Sequence, residues 1–156
     1  MMVLKFRNLD IDPTDPIDTW GVEGILAAID RGDLRDWRRI GSRLRAQPRG
    51  KVAGDLQEVL SLVETPAMVN LFTDLLARAK SRQQQRERET VVGLLRSALQ
   101  SSGLTRADFA ARLGTSGSRL STYLTGKVMP SATLLVRAAN VAVRELEEAT
   151  PPRPQG

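Results

Sequence analysis

Residues 104–131, LTRADFAARLGTSGSRLSTYLTGKVMPS, decide the fold of the C-terminal third of the chain. Thr105 is a good helix N-cap, and Asp108 three residues later completes an approximate capping box. Gly114 supplies the positive φ that a tight turn needs, and Ser116 can cap a following helix. The stretch therefore predicts two short helices joined by a sharp turn.

The residues of this stretch separate into an inner and an outer side. Those expected to point inward are Leu104, Phe109, Ala110, Leu113, Leu120, Tyr123 and Leu124. A further helix opening at Pro130 and Ser131 adds the core candidates Leu134, Leu135, Ala138, Ala139 and Val141. The outward positions of the second helix are small and polar: Gly117, Ser118, Arg119, Ser121 and Thr122. Exposed helix faces usually carry Lys and Glu, so this slim face predicts the close approach of a partner.

The pattern resembles the helix-turn-helix of the Cro–repressor class, also called the xenobiotic-response-element (XRE) class. The positions that match it are Leu104, Thr105, Phe109, Ala110, Leu113, Gly114, Thr115, Ser116, Leu120, Gly126, Lys127, Pro130 and Ser131. One position departs from it, because the residue before Gly126, often Asn in the class, is Thr125. The resemblance covers residues 90–142, about a third of the chain, and it implies binding of double-stranded DNA with the second helix in the major groove.

The resemblance also implies roles for individual residues. The candidates for reading bases are Gly117, Ser118, Arg119 and Thr122. The candidates for contacting the DNA backbone are Thr105, Arg106, Ser116, Ser121 and Lys127. Arg119 has the geometry to bind both acceptors of a guanine, and Gly117 and Ser118 leave room for the groove wall. Helical hairpins of this spacing also serve as protein-binding modules, which is the alternative interpretation.

The composition argues against catalysis. The chain has 156 residues with no Cys and no His, which removes disulfides, thiolate or imidazole metal ligands and the commonest nucleophile–base pairs. A carboxylate or Ser–Lys centre would be needed, and no such set converges in the sequence. We therefore predict no enzyme activity, no cofactor and no metal.

The net charge of +5 is unevenly distributed. Residues 31–51 hold eight basic and two acidic residues, and residues 78–100 hold six and two. Arg-rich faces suit phosphate backbones, although a solvated helix face has the same composition. In the first stretch, a second DNA contact is predicted for Arg35, Arg38, Arg39 and Arg43.

The N-terminal half predicts three short helices. The first runs from Trp20 to Ile29 and is expected to be capped by Asp18 or Thr19. Asp33 is expected to cap the second, whose buried stripe would be Leu34, Trp37, Ile40 and Leu44. The third covers residues 52–63.

A long helix is predicted after Thr65 and Pro66, which form a strong helix start. Its first apolar stripe is Val69, Phe72, Leu75, Leu76 and Ala79. Its second is Val91, Leu94, Leu95, Ala98 and Leu99. Residues 80–90 lie between them without a large apolar side chain, so we expect one long helix, or two nearly fused, with a semi-rigid basic linker in the middle.

These observations predict an all-α protein in which an N-terminal helical domain is joined by a long basic helix to a C-terminal XRE-type helix-turn-helix domain. The predicted parts are an extended arm (1–17), an N-terminal helical domain (18–79), the helical linker (80–90), the helix-turn-helix domain (91–149) and a disordered tail (150–156). No signal peptide or membrane span is apparent, so a cytoplasmic, nucleoid-associated protein is expected.

Residues 18–40, DTWGVEGILAAIDRGDLRDWRRI, are followed by a helix and this helix-turn-helix, and in this order the chain loosely resembles an actinobacterial group of small XRE-type regulators. The predicted function is that of a sequence-specific transcriptional regulator that acts as a repressor, although the sequence does not itself fix the direction of regulation. Three roles stay open for the N-terminal domain: homodimerisation, a second DNA contact, or binding of a protein partner such as a toxin. In the last case the protein would be an antitoxin that binds DNA for autoregulation.

Overall fold

The computed structural model describes residues 11–150, and in this range every regular element is a helix. A 3-10 turn, Ile17–Thr19, precedes seven α-helices. They are α1 (Gly21–Arg31), α2 (Leu34–Ala46), α3 (Lys51–Leu60), α4 (Pro66–Ser102), α5 (Arg106–Leu113), α6 (Gly117–Leu124) and α7 (Ala132–Ala149). The predicted all-α class with a long helix before the helix-turn-helix is confirmed.

The chain divides into two compact units, with the division between Gln84 and Gln85. Each unit has its own hydrophobic core. The five domain limits given above stay predictions, and most of the arm (1–10) and of the tail (151–156) lies outside the described residues.

Unit 1 packs α1 against α2 and α3, with the first turns of α4 closing the core. Its largest buried side chains are Trp20, Ile25, Ile40, Leu44, Leu56 and Phe72. Asp33 caps α2 as predicted: its carboxylate accepts from the Arg35 amide at 2.9 Å, and Asp36 accepts from the Asp33 amide at 3.1 Å. This reciprocal capping box satisfies two amide groups that the first turn leaves open.

Two details of the predicted N-terminal half are wrong. Neither Asp18 nor Thr19 caps α1, because both lie in the preceding 3-10 turn; the Thr19 hydroxyl donates to the Pro16 oxygen, and no side chain caps α1. Leu34 is not buried but 55% exposed, because it occupies the first position of α2, where the helix extends past the edge of the core.

Helix α4 runs for 37 residues without a break and includes residues 80–90. Its first stripe enters the core of unit 1 as expected, through Phe72, Leu76 and Ala79. In its second stripe Leu95 is fully buried but Leu94 is 59% exposed, because successive helix positions point about 100° apart and the buried direction is that of Leu95.

Unit 2 packs the end of α4 together with α5, α6 and α7 around Leu95, Phe109, Leu113 and Leu120. Helix α5 contacts both α6 and α7. Ala138 is buried as expected, whereas Ala139, also expected in this core, is exposed. Ala142, one turn after Ala138 on α7, is buried although it was not predicted.

Candidate nucleic-acid interface

The interface is built on the α5–α6 hairpin, whose turn follows the sequence prediction closely. Thr105 caps α5 by accepting from the Asp108 amide at 3.2 Å, and its hydroxyl donates to the Asp108 carboxylate at 2.8 Å. Ser116 caps α6 by accepting from the Arg119 amide at 3.2 Å. Both helices therefore begin at residues that the sequence specifies, because capping is a local interaction.

Gly114 sets the angle between the two helices. It ends α5 in the left-handed conformation, with φ of 73° and ψ of 32°. The next amide, that of Thr115, donates to the oxygen of Ala110 at 3.0 Å and closes the turn. Ala110 is 2% exposed, so its small side chain lies within the packed core of the hairpin. This arrangement leaves one side of α6 outside the core.

The outer side of α6 carries the predicted base readers. Gly117, Ser118 and Arg119 are exposed, and Thr122 is half-buried. The Thr122 hydroxyl donates to the Arg119 oxygen at 2.7 Å, so its proton is used within the helix while its oxygen can still accept a bond from a partner. Along one short helix the side chains are thus small at the N-terminal end, with a single long cation at Arg119.

Gly117 is not needed for packing within the chain. A Cβ atom built at this position meets no atom of the chain within 4 Å, and the backbone is not in the left-handed region. As far as the fold is concerned, an alanine would therefore fit at this position. A glycine that the fold does not require is consistent with a surface that must approach another molecule closely.

Three of the five predicted backbone contacts have side chains that cap neither α5 nor α6. Arg106 is exposed in the first turn of α5, Ser121 is exposed on α6, and Lys127 is exposed just after it. Thr105 and Ser116 are also exposed, but their hydroxyls serve as helix caps. The hairpin therefore brings eight of the nine candidates into the segments around α5 and α6 as exposed residues, with Thr122 half-buried.

Two arginines that the sequence analysis did not single out hold the ends of the hairpin helices. Arg96 of α4 donates from Nε at 3.1 Å and from Nη2 at 2.8 Å to the oxygen of Leu124, the last residue of α6. Arg137 of α7 donates at 3.4 Å to the oxygen of Leu113, the last residue of α5. A cation at a helix C-terminus satisfies open carbonyls and suits the helix dipole. No local pattern marks these residues, because each partner lies on another helix.

Another cation of the hairpin points away from α6. Arg112 of α5 lies with Nη1 2.9 Å from an oxygen of Glu145 on α7; the charges attract, although the angles are not those of a hydrogen bond. This ion pair ties α5 to α7. The Arg112 side chain is still 54% exposed. Arg106, Arg119 and Lys127 are exposed as well, and within residues 11–150 none of these three side chains forms a hydrogen bond or an ion pair.

The four arginines predicted as a second DNA contact lie in unit 1 and differ in their surroundings. Arg39 donates to the oxygens of Pro13 at 2.6 Å and Asp15 at 2.8 Å, and it stacks on Trp20 with 4.6 Å to the ring centre. Arg43 forms a two-point ion pair with Asp18, at 2.9 and 2.6 Å. Both are bound to their own unit, whereas Arg38 is exposed and Arg35 bonds to the neighbouring Asp33.

Two carboxyl groups of unit 1, those of Asp33 and Asp12, have lowered pKa values. Hydrogen bonds from the Arg35 side chain, and then from its amide, hold the pKa of Asp33 below the usual 3.8. Hydrogen bonds from the Thr14 hydroxyl, and then from its amide, lower the pKa of Asp12 in the same way. Over residues 11–150 no cluster of three or more carboxylate, thiol or imidazole residues could hold a metal ion.

Taken together, a capped helix, a left-handed glycine turn and a second helix with an exposed slim face define a helix-turn-helix domain. A family model described as "Helix-turn-helix domain" matches residues 74–148, which supports a DNA-binding domain of this kind. Neither the curated proteins nor the solved structures contain a match to the chain. Within the described range, no helix is long and apolar enough to cross a membrane.

Proposed function

We propose that the protein is a sequence-specific regulator of transcription, acting as a repressor and reading the major groove of double-stranded DNA with α6. The observation that carries this proposal is the outer face of α6, where glycine and serine precede a single exposed arginine on a helix fixed at both ends. A major groove about 12 Å wide accepts a helix whose leading face is slim.

The residue roles follow from their positions. Arg119 binds a guanine through two hydrogen bonds, Gly117 and Ser118 allow the groove wall to approach, and Thr122 accepts a bond from a base. Arg106, Ser121 and Lys127 contact phosphates, together with Thr105 and Ser116 at the helix starts. The protein acts by binding and belongs to the XRE class, close to the small actinobacterial regulators, and it works at the nucleoid. As a homodimer it would place two α6 helices about 34 Å apart on a palindromic site.

The direct test is fluorescence anisotropy with the full chain, duplex DNA from upstream of its own gene and a scrambled duplex, at two salt concentrations. Arg119→Ala should cost about 1–3 kcal/mol on the upstream duplex and little on the scrambled one. Binding of both duplexes should weaken steeply as salt rises, because phosphate contacts release counterions. Arg144→Ala, which removes an exposed arginine of α7, is the matched control and should leave the difference between duplexes unchanged. Equal affinities for the two duplexes with every variant would refute base reading of that site by α6.

A second candidate function is supported by unit 1. Residues 11–73 lie outside the region matched by the helix-turn-helix family model, and they build a separate core with a surface cavity. A protein-interaction role, as in an antitoxin whose N-terminal helices bind a partner enzyme, would use this unit while α6 serves autoregulation.

A further inference from the structure

Unit 1 has a surface cavity of about 620 Å³ at one end of its helical core. It lies between the end of α1, the first turn of α2, the connection that follows α3, and the first turn of α4. Seven residues line it: Ile29, Asp30, Trp37, Leu62, Glu64, Thr65 and Met68. None of them belongs to the predicted DNA-binding residues.

The floor of this cavity is apolar and fixed. Ile29 is 2% exposed, and Trp37 and Met68 are half-buried beside it. The indole of Trp37 donates to the oxygen of Ala28 at 2.9 Å, which holds the ring in one orientation. One lining residue, Leu62, is a large apolar side chain that is 53% exposed. Leu34 does not line the cavity; it is 55% exposed and lies one helical turn before Trp37 on α2.

The charged groups of the cavity are both acidic. Asp30 and Glu64 are exposed, and within residues 11–150 neither carboxylate makes a hydrogen bond or an ion pair. The end of α1 adds the partial negative charge of a helix C-terminus. Arg31 follows Asp30 at the end of α1 but does not line the cavity, so the lining itself holds two carboxylates and no basic side chain. Such a lining favours a cation over nucleic acid.

The geometry points to a docking site for a protein partner that inserts an arginine or lysine flanked by apolar residues. The stem of such a side chain packs on Trp37 and Met68, and its charged end meets Asp30 and Glu64. The apolar neighbours of the inserted residue cover Leu62, a large apolar side chain that is otherwise exposed. This site is independent of DNA binding by α6.

The test uses the full chain labelled with ¹⁵N and three short peptides: Ac-Leu-Arg-Leu-NH₂, the same peptide with neutral citrulline, and the same peptide with glutamate. The arginine peptide should shift the Trp37 indole signal and the amides of Asp30 and Glu64, with millimolar affinity. The citrulline peptide should bind about tenfold more weakly, and the glutamate peptide not at all.

Substitutions then assign the charge contacts. The double variant Asp30→Asn with Glu64→Gln should bind the arginine peptide about tenfold more weakly than the native chain does. It should bind the arginine and citrulline peptides with equal affinity. The matched control, Glu23→Gln with Glu58→Gln, removes two other exposed carboxylates from α1 and α3 and should bind as the native chain does. Circular dichroism should show the same helix content for all three proteins. Equal binding of the arginine and citrulline peptides, unchanged binding by the double variant, or no shift of Trp37 at all would overturn the assignment.

Discussion

The guanidinium of Arg96 donates two hydrogen bonds to one backbone oxygen, that of Leu124, from a distance of 28 residues along the chain. Helix α6 has only eight residues, which is too short to be stable alone, and this contact satisfies its last carbonyl. The helix proposed to read DNA is thus held at its start by Ser116 and at its end by α4.

Removing this contact should loosen α6 in particular. We expect Arg96→Ala to cost about 1–2 kcal/mol of protection in the amide hydrogen exchange of Leu120 to Leu124, because the carbonyl loses charged donors. Arg96→Lys should recover part of the loss, since it keeps the charge but not the two-point geometry. Arg86→Ala, at an exposed position of the same helix, is the control. Equal exchange in the Arg96→Ala and Arg86→Ala proteins would show that the contact does not stabilise α6.

Gly117→Ala should affect the affinity for DNA without lowering the stability of the fold. Because a Cβ here meets no other atom of the chain, the free energy of unfolding should stay the same or rise by up to about 1 kcal/mol, as for glycine to alanine in a helix. Affinity for the specific duplex should nevertheless fall, because the added methyl group meets the groove wall. Gly54→Ala, at an exposed helical glycine of α3 with equal space around it, should leave DNA binding unchanged. If Gly117→Ala and the larger Gly117→Leu both bind the specific duplex as tightly as the native chain does, the proposal that α6 needs a slim face to read DNA is wrong.

Gly114→Ala should act through the backbone. The position has a φ of 73°, and its Cβ would meet only Arg137 Nη1 at 3.7 Å, so space is available but the left-handed conformation is strained. We expect a loss of about 1–2 kcal/mol in the free energy of unfolding of unit 2, measured by urea denaturation. Gly114→Asn should lose less, because asparagine tolerates this conformation better. A loss from alanine no larger than that from asparagine would mean that the turn relaxes to another geometry.

Acid should weaken the cap of α2. The pKa of Asp33 in the folded chain lies below the usual 3.8, so its carboxylate stabilises unit 1 fully above 3.8 and loses this effect as pH falls through the folded pKa. A ¹³C NMR titration of the Asp33 carboxyl should show this low value, and Arg35→Ala should raise it. Asp33→Asn keeps a cap but cannot titrate, so unfolding of that variant should depend less on pH in the same range. An Asp33 pKa unchanged by Arg35→Ala would contradict the assigned cause.

The arginines of α2 should differ in their contribution to the stability of unit 1 and to DNA binding. Arg43→Ala should cost unit 1 about 1 kcal/mol of stability, because it breaks the two-point pair with Asp18. Arg38→Ala should leave stability unchanged, since this side chain is exposed. If α2 makes the proposed second DNA contact, Arg38→Ala should weaken binding of specific and scrambled duplexes alike and lower the salt slope by about one. If Arg38→Ala binds both duplexes as the native chain does, Arg38 does not contact DNA.

The sequence by itself determined the elements whose causes are local. The caps at Asp33, Thr105 and Ser116, and the left-handed turn at Gly114, follow from residues within a few positions of each other. The sequence also predicted which helix positions are buried, as for Phe72 and Leu76, because side chains four residues apart lie on the same face of a helix. The predicted burial was wrong where an apolar stripe extends past the core, as at Leu34 and Leu94, which are both exposed.

Only the tertiary structure decided which arginine side chains form hydrogen bonds or ion pairs within the protein. Arg39, Arg43, Arg96 and Arg137 find their oxygen partners 24 to 28 residues away, on other elements. In the sequence, Arg39, Arg43 and Arg96 lie in the two basic stretches and Arg137 is an isolated arginine, and nothing near any of them in the sequence distinguishes them from Arg38 or Arg119. A guanidinium binds whichever carbonyl or carboxylate the packing places within about 3 Å, so the difference between a structural arginine and one exposed to a partner arises when the helices pack.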